Sequence, residues 1–264
     1  MIVRRISQHV RDQNWFAVVM DLVIVVLGVG LALMAQQWLQ NAQQRADLEN
    51  AEIALRADLD SNYFNAHEWL SMANCRRIRT KKIAERLSES SPQWVGMPWL
   101  GYNVLENYVL PSVLPTNFRT WGSRIWNAEL EKGTFDSMDK SRRHLFDELF
   151  SQTKLMQDIQ GDADEIHARL KALTMTTKIT PSDRIRYFEL LAVYDRQSGL
   201  LEHASQQVID NIESIGLAYD RSLFLEREGK LTRYNESLTA RAGECFEPIV
   251  MALLMENGLE VRKP

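Results

Sequence analysis

The chain has 264 residues, 45% apolar and 25% charged, with 31 basic against 35 acidic side chains and a net charge of -4. That composition supplies enough apolar surface for a sizeable core and excludes a disordered polar tract, a collagen-like repeat and a disulfide-dense miniprotein. No basic excess is available to pair with phosphates, which argues against a nucleic-acid binder.

Residues 1–15 form a short basic head with Arg4, Arg5 and Arg11. Ala17 to Ala35 then carries 16 apolar residues among 19, broken only by Asp21, Gly28 and Gly30. As a helix this run rises about 28 Å, close to the roughly 30 Å of a bilayer's hydrocarbon core. A core helix is seldom apolar on all sides over that length, so a transmembrane helix is expected over 16–36. Trp15 and Trp38 flank it about 35 Å apart, which suits one indole anchor at each headgroup layer. Basic residues are denser before the run than after it, which predicts a cytoplasmic N-terminus and the bulk of the chain outside, in the periplasm of a bacterium. The rival is a cleaved signal peptide ending at Leu33-Met34-Ala35, but the run is long for one and contains Asp21. The lipid bilayer is therefore the first expected partner.

At 100° per residue, Ala17, Asp21, Gly28, Ala32 and Ala35 fall on one face. Gly28 and Ala32 form a small-xxx-small pair that would admit a second helix, from another copy or another membrane protein. The plainer account of Asp21 is a carboxylate that snorkels to the headgroups, and both readings stay open.

Arg4-Arg5-Ile6, His9, Asn14-Trp15-Phe16-Ala17-Val18, Asp21-Leu22, Val25-Val26 and Gly28-Val29 together resemble the N-terminus of a family of uncharacterised proteobacterial single-pass membrane proteins. The resemblance covers residues 4–38. Gln36-Gln37-Trp38-Leu39 departs from the Asn-Trp-Asn-Glu ending of that family. It implies a basic head, one membrane helix and a helical periplasmic region, and supplies no chemistry.

Residues 37–264 read as one all-helical periplasmic domain. The membrane helix is expected to run on to about Leu87, because no Pro or Gly falls between Ala32 and Ser91. Leu48, Glu52, Leu55, Leu59, Tyr63, Ala66 and Leu70 then make one stripe at helical spacing. Residues 92–117, with four prolines, read as an irregular loop holding one short helix near Val104–Val109. A helix over 118–131 follows, capped by Gly133. Leu145, Leu149, Met156, Ile159, Ala163, Ile166, Leu170 and Leu173 trace a heptad-like seam through Gly161. Thr180-Pro181-Ser182-Asp183 is a helix start. The helix it opens carries Ile185, Phe188, Leu201, Val208, Ile212 and Ile215, with a kink expected at Gly199. Two short helices, near 230–242 and 247–257, close the chain. Strand signals read as almost absent, so the fold class is all-α: a transmembrane helix continuing into a long helix, then an antiparallel helical-bundle ectodomain.

Five groupings have chemical potential. Cys75 and Cys245 can form one disulfide in an oxidising compartment, or remain two separate buried thiols. Arg76, Arg77, Arg79, Lys81, Lys82 and Arg86 could bind a polyanion, but cations on a solvated face near a helix C-terminus explain them more simply. Trp94, Trp99, Tyr102, Tyr108, Phe118, Trp121 and Trp126 could stack on sugars; a plug at the end of a bundle is the plainer account. Asp162, Asp164, Glu165 and His167 offer metal-friendly atoms, but read as a solvated helical face. Asn235-Glu236-Ser237 matches a glycosylation acceptor, which means little in a bacterium. No HExxH, GxSxG or phosphate-loop motif occurs. No catalytic, cofactor-binding or metal residue is assigned, and no cofactor is expected. The expected role is an interaction or scaffolding component of an envelope complex, not an enzyme. The alternative is a periplasmic sensory or ligand-binding domain signalling through a partner's membrane helix.

Overall fold

A computed structural model describes residues 15–99, 110–115, 117–215, 221–249, 253–255 and 258–260. Six α-helices dominate the described residues: α1 (Trp15–Ser71), α2 (Ala73–Leu87), α3 (Arg124–Glu131), α4 (Lys140–Leu170), α5 (Pro181–Ile215) and α6 (Arg221–Ala242). Two small antiparallel pairs accompany them. Strand β1 (Gln93–Trp94) pairs with β2 (Thr177–Lys178), and β3 (Leu253–Met255) with β4 (Gly258–Glu260). The chain divides into two units, Met1–Asn50 and Ala51–Pro264.

In the first unit α1 is long and apolar enough to cross a membrane. Every large apolar side chain from Val19 to Met34 is exposed, at 43–69%. Trp38 stands 74% exposed. Trp15 and Ala17 belong to the helix by backbone, and their side chains lie outside the described part, as do all of residues 1–14.

The second unit starts where α1 acquires a buried stripe. Ala51, Leu55, Leu59, Tyr63 and Ala66 are buried, along the face the spacing predicts. Met72, at φ -96° and ψ 1°, interrupts the expected run to Leu87, and α2 carries the chain on. Helices α4 and α5 run antiparallel: the Gln152 amide meets Gln207 toward one end, and His167 faces Tyr194 toward the other. Helix α2 packs on α5 in the same antiparallel sense, with Arg76 against Glu202 and the Arg184 guanidinium on the Arg86 and Leu87 carbonyls.

The α4 seam is a true heptad, shifted from the expected one. Leu149, Met156, Ala163 and Leu170 are buried as predicted; Phe146, Thr153, Gln160 and His167 fill the other buried row. Leu145, Ile159 and Ile166 sit half-buried beside it. Three of the four buried partners are polar, so apolar spacing alone chose the adjacent row. Thr180 and Asp183 form the expected reciprocal cap: each backbone N–H donates to the other's side-chain oxygen at 3.1 Å. Helix α5 continues through Gly199 as an uninterrupted helix. Ile185 and Phe188 are exposed, contrary to expectation, because the buried face of α5 runs through Leu191, Tyr194, Ser198 and Leu201 instead.

Two expected helices need correction. Residues 118–123 are not helical; α3 begins at Arg124. Gly133 does take the left-handed conformation of a C-terminal cap, at φ 75°. Of the helix expected over 247–257, the described residues 247–249 and 253–255 are not helical: Leu253–Met255 pairs antiparallel with Gly258–Glu260. The short helix expected at Val104–Val109 lies outside the described residues.

Candidate functional sites: an apolar helix and a buried polar layer

Two features of this chain depart from ordinary globular behaviour. One is the apolar half of α1. Gly28 and Gly30 have open space where a side chain would stand, and Ala32 and Ala35 are exposed. Asp21 is exposed as well. Among the described residues nothing covers them, and the face they make is available to lipid or to another helix.

The other is a polar layer inside the second unit. Asn62, Asn65 and Glu68 occupy successive turns on one face of α1, and all three are buried. Opposite them, α4 contributes Gln157 and Gln160. Between the two helices runs the extended segment 117–122, whose backbone is gripped from both sides. The Asn62 amide donates to the Gly122 carbonyl and its oxygen accepts the Gly122 N–H, both at 2.7 Å. The Gln160 amide donates to the Arg119 carbonyl at 2.6 Å and accepts the Arg119 N–H at 3.1 Å. Asn65 donates to the Thr120 carbonyl, and Gln157 accepts the Trp121 N–H. Side-chain amides thus replace the backbone bonds that a helix over 118–123 would have made, which is why none forms there.

Charge is confined to paired positions. Glu68 is 0% exposed and takes both arms of the Arg119 guanidinium, at 2.7 and 2.9 Å. Burial pushes its carboxyl up from the ordinary range, and Arg119 opposes that. Arg76 is 2% exposed. Its guanidinium lies 3.9 Å from the centre of the Trp69 ring, donates to the Trp69 carbonyl at 2.7 Å, and reaches Glu202 at 3.1 Å. Arg77 takes the other Glu202 oxygen at 2.8 Å. Arg79 donates to the Val113 carbonyl at 2.8 Å and to that of Met97. The solvated-face reading of the basic cluster therefore fails for Arg76 and Arg79, which bridge α2 to its neighbours. It holds for Lys81 and Lys82, which are exposed; Arg77 is exposed too but pairs with Glu202 of α5.

His167 is corrected in the same way. Asp162, Asp164 and Glu165 are exposed, as expected, whereas His167 is buried and its Nε2 bonds the Ser112 hydroxyl. Burial lowers its pKa to about 4. His67, stacked edge-on with Tyr63 at 4.6 Å, is lowered to about 4 for the same reason. Both rings are neutral at pH 7. Sequence reasoning passed over His67, Asn62, Asn65 and Glu68; their one signal was a set of polar residues at helical spacing within an otherwise apolar stripe.

The aromatic residues plug the core. Trp94, Trp121 and Trp126 are buried, and the Trp126 ring stacks on Phe135, Phe146 and Phe150. The Trp94 indole donates to the Leu173 carbonyl at 2.8 Å. Phe118 stacks on Trp69 at 5.9 Å. Tyr102 and Tyr108 lie outside the described residues. Asn235 is engaged: its amide donates to the Ile249 carbonyl at 2.9 Å and accepts that residue's N–H at 3.1 Å.

Cys75 and Cys245 are joined, with a Cα separation of 4.8 Å across 170 residues of sequence. Closing that loop restricts the unfolded chain by about 5 kcal/mol on the chain-entropy account. Among the described residues no three His, Cys, Asp or Glu side chains stand together as a metal site. An open groove between α4 and α5 is lined by Glu148, Gln152, Leu155, Gln207 and Asp210. No protein-family model, curated protein or solved structure matches the chain.

Proposed function

We propose that this protein is anchored by a single membrane helix and acts as an interaction or scaffolding element of an envelope complex, not as an enzyme. Residues 1–15 lie in the cytoplasm, 16–36 cross the inner membrane, and 37–264 face the periplasm. The observation that carries this reading is the run Val19–Met34, whose large apolar side chains are all exposed. Leaving so many in water is untenable, and a bilayer accepts them at no cost. The Cys75–Cys245 bond supports an oxidising compartment for the second unit. The excess of Arg4, Arg5 and Arg11 supports a cytoplasmic N-terminus.

Binding partners reach the protein through the α1 face of Ala17, Asp21, Gly28, Ala32 and Ala35, which takes a second copy or another membrane helix. Crosslinking in native membranes tests this. Gly28→Leu and Ala32→Leu keep the span apolar but hold two backbones apart, so the yield of crosslinked oligomer or copurified partner should fall severalfold. Val26→Ala and Leu33→Ala, on the opposite face, should leave it unchanged. Equal yields from all four variants would reduce the segment to a tether.

A further inference from the structure

The joint between α1 and α2 is covered by α6 and the residues that follow it, up to Glu247. At Met72 the helix breaks, and the Ser71 carbonyl accepts the Glu247 N–H at 3.0 Å. Met72 and Cys75 pack with Leu238 and Phe246 in a small apolar cluster, edged by Trp99, Tyr234 and Ala242. The Tyr234 ring meets Phe64 edge-on at 5.3 Å. This cluster shares no residue with the main one, which is built from Ile83, Leu87, Trp94, Ala163, Leu170, Leu191, Tyr194 and their neighbours. Among the described side chains of α6 only Leu238 is fully buried, while Arg233, Glu236, Thr239 and Ala240 are exposed. Asn235 ties α6 to Ile249, so the helix and the stretch after it hold together as one piece. One covalent bond, Cys75–Cys245, crosses this contact.

We infer that the Cys75–Cys245 disulfide is a redox latch, whose reduction by a dithiol frees α6 and residues 243–249 from the α1–α2 joint while the core of α2, α4 and α5 stays folded. The chemistry is thiol–disulfide exchange. A thiolate of the dithiol attacks the Cys245 sulfur, the more exposed of the pair, and the S–S bond breaks. Cys75 leaves as a thiolate and takes up a proton. The second thiol of the reductant then attacks the mixed disulfide and releases Cys245, which is protonated in turn. The protein gains two electrons and two protons as two thiols, and the dithiol is oxidised to its own disulfide. Once the bond is cut, docking rests on noncovalent contacts alone, among them those of Leu238, Phe246 and Tyr234 and the Glu247 bond, so the segment opens as a local unit ahead of the core. The latch is independent of the membrane topology proposed above.

Hydrogen–deuterium exchange on the full chain in detergent micelles, with and without dithiothreitol, tests it. Reduction should speed exchange over 229–249 by on the order of tenfold or more and leave α4 and α5 unchanged. Reoxidation should restore the slow exchange. Cys75→Ser/Cys245→Ser should show the fast pattern at once and ignore dithiothreitol. Unchanged protection of α6 after complete reduction, or loss of protection in α4 and α5 together with it, would overturn the latch.

Discussion

Between Val19 and Ala35, helix α1 exposes every large apolar side chain it has; between Ala51 and Ser71 it buries Asn62, Asn65 and Glu68. The first stretch puts oil outside and the second puts amides and a carboxylate inside. Each inversion needs a partner to be stable. For the apolar stretch no partner stands among the described residues, and lipid has the right chemistry. For the polar stretch the partners are the backbone of 117–122 and the Arg119 guanidinium, so burial costs little while both remain. The same secondary structure thus serves two solvents, and only side-chain environment tells them apart.

Removing a partner from the polar stretch should break the comparison most severely. Arg119→Ala leaves the Glu68 carboxylate buried and unpaired and should lower the stability of the second unit by about 3–5 kcal/mol in urea unfolding. Adding Glu68→Gln should recover part of that loss. Leu59→Ala, within the fully buried stripe, should cost about 2–5 kcal/mol. Leu27→Ala, the same deletion in the exposed stretch, should leave the unfolding of the second unit unchanged.

Acid should weaken the buried layer as well. His67 and His167 are held at about 4, below the ordinary 6.5, by burial. A folded-state pKa below the unfolded one means the unfolded chain binds more protons between those values. Stability is therefore full above about pH 6.5 and falls as pH drops toward 4, by at most about 3 kcal/mol per histidine. Glu68, raised by burial, works in the opposite direction and offsets part of the fall. Urea midpoints at pH 7 and 4.5 should differ less in His67→Gln than in the native chain. The smallest effect belongs to the α5 cap: Thr180→Ala should cost about 1 kcal/mol, seen as a lower urea midpoint.

What the sequence made legible was local or strongly periodic. The apolar run, the stripe through Leu55 and Leu59, the Thr180–Asp183 cap and the left-handed Gly133 are set by residues within a few turns of one another. Count and the expected compartment allowed a Cys75–Cys245 bond without deciding it against two separate thiols. What stayed hidden depended on distant partners. The extended segment at 118–123 exists because Asn62, Asn65, Gln157 and Gln160, some 36 to 60 residues away, supply its hydrogen bonds. Arg76 reads as a solvated cation until Trp69 and Glu202 are placed around it. Thr153, Gln160 and His167 occupy buried heptad positions that an apolar pattern assigns to their neighbours.

The central claim is that the apolar stretch of α1 crosses a membrane and leaves the helical unit on the outer side. Alkaline phosphatase, which folds only where its disulfides can form, reports this directly when fused after Pro264. The account predicts an active fusion in intact bacterial cells, with a reporter that works only in the cytoplasm silent at the same position. An inactive phosphatase beside an active cytoplasmic reporter would contradict the orientation and remove the oxidising compartment from around Cys75 and Cys245.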